Sequence, residues 1–208
     1  MVKISEKHLL SIAEYLVAED AAEARHEFQN GKTIEIAGGT LSHNVVKGEI
    51  YTFINLAIKS AKIPHMVLNS DTKVRIESAN RFLYPDVTIS DGTPAYYITP
   101  EGRIRRDIVI NPLVIVEVLS EDTHHYDRGE KFDLYCSVPG FQEYILIESE
   151  EVWAKSMFLQ DPAENLWKHD IFTDKAALLP IRSLGLEIPL SDLYAVLEKL
   201  PKEEEKEA

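Results

Sequence analysis

The run LVIVEVL, Leu113 to Leu119, constrains the fold of this chain more than any other stretch. Strand alternation puts Val114, Val116 and Val118 on one face and Leu113, Ile115, Glu117 and Leu119 on the other. Both faces are otherwise apolar, so the run predicts a central strand covered on both sides. Glu117 is the exception. An ionised carboxylate in such a strand is costly unless a cation, a metal or hydrogen bonds meet it. It lies toward the strand's end, where a sheet commonly opens into a site.

The surrounding pattern supplies the covering layers. A one-faced helix is predicted from a cap at Ser5 through Leu9, Ile12, Ala13, Leu16 and Val17. Asn30-Gly31 then joins two short strand-like runs as a hairpin, because both central residues must accept positive φ. A longer helix follows from a cap at Ser42, with Val46, Ile50, Phe53, Ile54, Ala57 and Ala61 on its apolar face. SDTKVRIES alternates cleanly and pairs with RFLYPDVTIS. A loop rich in Gly and Pro, about residues 91–111, leads to the Leu113–Leu119 strand. THHYDRGEKFDLYCSV reads as a helix stopped before Pro139-Gly140, and QEYILIES as a strand. VWAKSMFLQ and NLWKHDIFT form a second hairpin, and SDLYAVLEKL a capped terminal helix. The class is α/β or α+β: a mixed central sheet flanked by helices, with a helix and hairpin before it and a hairpin and helix after it.

No repeat or linker divides the chain. Residues 1–200 are expected as one domain, and the charged tail 201–208 as solvated and disordered. The net charge of −13 makes non-specific nucleic-acid binding weak, because phosphate contacts need Lys and Arg, but suits a site that holds cations. The lone cysteine, Cys136, permits no internal disulfide and fits a reducing cytoplasm; its neighbours suggest a packed helix position. Neither a signal peptide nor an apolar run of membrane-spanning length is present, so no membrane partner is expected.

A second acid resembles Glu117. Asp86 interrupts the apolar run FLYPDVTIS, and the two acids sit on strands joined by the Gly/Pro-rich loop. Paired carboxylates at adjacent strand ends make a hard-oxygen site suited to Mg²⁺, which takes one or two protein carboxylates and keeps waters for a phosphate. In the next helix Asp127 and Lys131 are four apart and share a face. Lys131 is placed to reach back over the strand end and stabilise charge on a phosphate; the same spacing also describes an exposed helix pair.

YPDVTIS, NPLVIVEVLSEDT and YDRGEKFDLY with FQEYILI resemble the Uma-two family of restriction-endonuclease-like proteins, common in cyanobacteria, within the PD-(D/E)XK nuclease superfamily. The resemblance extends to RHEFQNGKTIEIAGGTLSHN and LNSDTKVRI, about residues 10–195 in all. It implies a core of helix, three-stranded meander, helix and strand. It implies that Asp86 and Glu117 ligate Mg²⁺ or Mn²⁺, with the Val118 carbonyl as a third ligand. The superfamily's lysine falls at position 119, which here is Leu119, and the family's migrated lysine matches Lys131. The implied chemistry is metal-assisted hydrolysis of phosphodiester bonds, with Lys131 holding the nucleophile or offsetting phosphate charge. Glu27 and His43 match family motifs, Asp71 matches an SD pair, and Glu49 lies on the helix that often lends a glutamate to the site.

Arg103, Arg105 and Arg106 form the one dense basic cluster and are candidates for nucleic-acid contact. Adjacent His124 and His125 point apart and have no matching partners, so zinc is not expected. The reading is a Mg²⁺- or Mn²⁺-dependent endonuclease acting on DNA, as a homodimer if both strands are cut. Two rivals stand beside it: a catalytically silent nuclease-fold binding module, and a metal-dependent hydrolase of another phosphate ester.

Overall fold

Residues 9–120 and 124–201 are described by the computed structural model of the chain. The expected cap at Ser5, the tail beyond Pro201 and the side chains of His124 and His125 lie outside what it describes. Helix α1 (Ile12–Ala21) starts instead at Ser11, in a reciprocal capping box with Glu14. It buries Tyr15 and Leu16 and leaves Val17 exposed, so its inner face is rotated from the expected one. Asn30 and Gly31, both at positive φ, turn β1 (His26–Gln29) into β2 (Lys32–Glu35) as predicted. Helix α2 (Leu41–Ala61) is capped by Thr40 rather than Ser42 and buries Val46, Ile50, Ile54 and Ile58 along one stripe.

Four short strands follow: β3 (Met66–Asn69), β4 (Lys73–Ile76), β5 (Arg81–Leu83) and β6 (Val87–Ser90). The stretch expected as one strand, RFLYPDVTIS, is two. It breaks at Tyr84-Pro85-Asp86, where Pro85 has no N–H for a ladder. The expected loop of residues 91–111 contains a hairpin, β7 (Tyr96–Ile98) and β8 (Ile104–Val109), before β9 (Pro112–Leu119). The single helix expected next is split at Gly129 into α3 (His124–Arg128) and α4 (Glu130–Cys136). Then come β10 (Glu143–Glu148) and the predicted hairpin of β11 (Ala154–Asp161) and β12 (Leu166–Phe172). A further hairpin, β13 (Leu178–Ile181) and β14 (Leu186–Pro189), precedes α5 (Leu190–Tyr194). The terminal helix has no side-chain cap and tightens to 3₁₀ geometry over Ala195–Lys199.

Among the described residues the strands form two six-stranded sheets and a two-stranded one, rather than a single sheet. The first sheet runs β2-β1-β5-β4-β8-β7 and the second β12-β11-β10-β9-β6-β3; both are mixed, with β4/β8 and β9/β10 parallel. The antiparallel meander is therefore β3-β6-β9, and SDTKVRIES belongs to the other sheet. Helices α3 and α4 make the crossover between parallel β9 and β10. All eight residues of β9 are buried. Val114, Val116 and Val118 pack with α2 and α5, while Ile115 and Leu119 pack with Tyr135 of α4 and Tyr144 of β10. Glu117 shares that second face, directly under the crossover. Among the described residues, no helix is long and apolar enough to cross a membrane.

Candidate metal and catalytic site

Strands β6 and β9 are antiparallel, with Val87 opposite Val116. One step beyond that pair, Asp86 and Glu117 come side by side. The Asp86 N–H donates to Glu117 Oε2 at 3.2 Å, and the Val118 N–H donates to Asp86 Oδ2 at 2.8 Å. Each acid thus closes the ladder that Pro85 interrupts. The N–H and C=O of one strand residue point the same way, so the Val118 carbonyl also faces the Asp86 side.

Lys131 answers the cost of the buried glutamate. Its Nζ lies 2.8 Å from Glu117 Oε1, 3.1 Å from Asp127 Oδ1 and 3.9 Å from Glu27 Oε1. Asp127 and Lys131 are not an exposed helix pair: both are buried. Tyr144 fixes the end of α3 by donating its hydroxyl to the Asp127 carbonyl at 3.0 Å. Glu27, on β1, accepts the Tyr84 N–H at 3.2 Å, which ties the first sheet to the chain just before Asp86. Leu119, where a lysine would otherwise stand, is fully buried in the core beneath α4.

Helix α2 adds two nitrogen-bearing side chains from the other side. His43 Nε2 lies 3.4 Å from Asp86 Oδ2, and Lys47 Nζ lies 3.5 Å from Asp86 Oδ1. They are four residues apart, so both face the acid. Gly39 makes room for the imidazole: a Cβ there would collide with His43 Nδ1 and Cγ. Gly39→Ala is therefore expected to push His43 off Asp86. Its effect on activity and metal affinity should match that of His43→Ala, and the double variant should be no worse than either, a coupling that a double-mutant cycle reads directly.

The two acids are tuned apart. Burial raises the Asp86 pKa, but His43, the Val118 N–H and Lys47 outweigh it and hold the carboxyl below its ordinary range. For Glu117 burial dominates, with Asp127 and Asp86 adding to it, and pushes the pKa well above the ordinary range despite Lys131. Burial works against the Lys131 ammonium, but Glu117, Asp127 and Glu27 outweigh it and keep it protonated. Divergent titration of neighbouring acids is the pattern expected where acid–base or metal chemistry is built.

The donor set fits a small divalent cation. Among the described residues, no three His, Cys, Asp or Glu side chains converge at ligand spacing. Two carboxylates and one carbonyl remain, with open positions for water and substrate, as Mg²⁺ prefers. Asp86, Glu117, Asp127 and Glu27 set four carboxylates against the ammonium groups of Lys47 and Lys131. All six line one cleft of about 1360 Å³.

Other expected residues fall elsewhere. Glu49 is half-buried and does not line the cleft; it sits about 200° around α2 from Lys47. Asp71 is an exposed turn residue between β3 and β4, 3.1 Å from Arg25, and not the start of the meander. Arg105 is buried in β8, bridging Asp20 and Asp107, so it is not available to a phosphate. Arg103 and Arg106 are exposed and do not line the cleft. Lys47 was not anticipated; its spacing from His43 is the signal that carried it.

A helix, an antiparallel meander, a crossover and a parallel strand, with both acids at the meander's edge, define an α+β protein of the nuclease fold. The chain belongs to the Uma2 family, whose description is "Putative restriction endonuclease" and whose model matches residues 12–191. The uncharacterized Synechocystis protein slr1290 is 29% identical over 185 residues, covering 89% of this chain and 91% of the relative. A second, sll1609, is 31% identical over 148 residues, covering 71% and 80%. The crystal structure of a "putative nuclease belonging to DUF820" from Anabaena variabilis is similar at a TM-score of 0.69 and 20% identity, covering 90% of this chain and 99% of that one. At that identity the likeness carries the fold alone.

Proposed function

We propose that this chain is an endonuclease that hydrolyses phosphodiester bonds of DNA with the help of Mg²⁺ or Mn²⁺. The observation that carries this is the group of Asp86, Glu117 and Lys131, two carboxylates against one ammonium, open to a cleft. When bound, the cation supplies a Lewis acid for the phosphate and lowers the pKa of water. The chain's own residues do the rest. Asp86, held below the ordinary carboxylate range, would hold the cation together with Glu117, and Lys131 keeps Glu117 in place. In the reaction a water oxygen bonds to phosphorus, the bond to the leaving oxygen breaks, and the water's proton ends on that oxygen through solvent. With one such site per chain, cutting both strands calls for a two-fold homodimer.

The cleft rim favours a second reading. Glu35, Glu148, Glu150 and Glu151 line it beside Arg25 and Arg128, an acidic balance that repels a long polyanion. A small phosphodiester suits such a rim better than duplex DNA. Plasmid nicking and cleavage of bis(p-nitrophenyl) phosphate, each with Mg²⁺ and Mn²⁺, separate the two. Wild type is expected to nick plasmid, and Asp86→Ala to lose about 10³-fold or more. Cleavage of the small diester alone would move the assignment to that class. Mn²⁺ binding by wild type without cleavage of either would make the chain a silent module.

A further inference from the structure

We propose that Lys47, not Lys131, is the cation that meets the scissile phosphate; this rests on the nuclease reading above. Lys131 is committed. Its side chain is 7% exposed, and three carboxylates surround the ammonium, which has three protons to donate. Turning it toward a substrate would strip buried acids of their counter-charge, which is strongly unfavourable when a buried pair is broken. Lys131 is therefore a positioning residue that acts through Glu117.

Lys47 has the opposite character. Its side chain is 22% exposed on the cleft wall. Among the described residues its ion-pair partner is Asp86, at 3.5 Å, longer than the roughly 2.7–2.9 Å of a charge-assisted hydrogen bond. It approaches Oδ1, the oxygen that the Val118 N–H leaves alone. A lysine held by charge on a flexible stem can follow a neighbouring anion. Were Asp86 shared with a cation, the attraction that parks Lys47 would weaken and leave its ammonium able to turn to a phosphate in the cleft. There it would donate to a non-bridging oxygen while the phosphorus–oxygen bonds exchange.

The test compares Lys47→Met, Lys47→Arg and Lys131→Met with wild type in four measurements: kcat and KM for plasmid nicking, Mn²⁺ affinity by calorimetry, Ca²⁺-supported binding of an oligonucleotide duplex, and Tm. Lys47→Met is expected to lower kcat about 10²–10³-fold. Its Mn²⁺ affinity should hold or tighten, since a like charge has left, and its Tm should move by only a few degrees. Lys47→Arg should recover part of the rate. Wild-type kcat in Lys47→Met overturns the assignment, and so does a loss of Mn²⁺ affinity that parallels the loss of rate. If wild type binds Mn²⁺ but cleaves no nucleic acid, the nuclease reading fails and takes the role of Lys47 with it.

Discussion

Lys131→Met is expected to cost the metal-free protein about 3–5 kcal/mol, which for a chain of this size lowers Tm by roughly 6–20 °C. Methionine is unbranched and of similar length, so it fills most of the lysine stem's volume and the loss is electrostatic. The substitution leaves Glu117, Asp127 and Glu27 buried together with no ammonium among them. Such acids relieve one another by binding protons. The deficit should therefore be smaller at mildly acidic pH and larger at mildly alkaline pH, which calorimetry at the two conditions would show. An unchanged Tm at both would mean that Lys131 does not bridge these acids in solution.

The acids of this cluster were legible because each is a local anomaly. A carboxylate inside an apolar strand advertises an unpaid cost, and that reasoning finds Glu117 and Asp86 without knowing what lies above them. Lys131 followed from helical spacing to Asp127, although spacing alone could not say which face the helix would bury. Lys47 carried no anomaly. A lysine on an amphipathic helix looks solvated, and only the packing of α2 across β6 and β9 turns it toward Asp86. Arg105 failed for the converse reason. It resembled part of an exposed basic loop, yet its partner Asp20 lies 85 residues away on α1. Long-range pairing also decides the sheets. The backbone changes sheet at Tyr84-Pro85-Asp86, and no local pattern names the strand that each half will join. The β7-β8 hairpin shows no clean alternation: Ile98 and Ile104 at its turn are exposed, and of its apolar residues only Ile108 and Val109, at its far end, are buried.

Glu117→Ala is expected to lose activity about 10³-fold or more, as Asp86→Ala is, because on the proposed reading it removes a metal ligand together with the partner of Lys131. Its effect on stability depends on pH, and the sign follows from burial. Burial raises the folded pKa of Glu117 above its unfolded value, so folding favours the protonated acid. That contribution is full below the unfolded pKa and is lost as pH rises through the folded one. Metal-free wild type should accordingly lose stability over that window. The alanine variant, with nothing to ionise there, should show a flatter Tm profile whatever its absolute Tm. On the proposed reading, a divalent cation would reverse the wild-type loss by binding the ionised carboxylate. At a hundredfold excess over Kd, binding contributes about 2.7 kcal/mol, or roughly 5–11 °C in Tm for a chain of this length. Mn²⁺ should give that rise in wild type, most strongly on the alkaline side, and little in Glu117→Ala. A rise of equal size in both proteins would place the ion elsewhere and remove Glu117 from its ligands. A rise confined to wild type would place Glu117 among the ion's ligands.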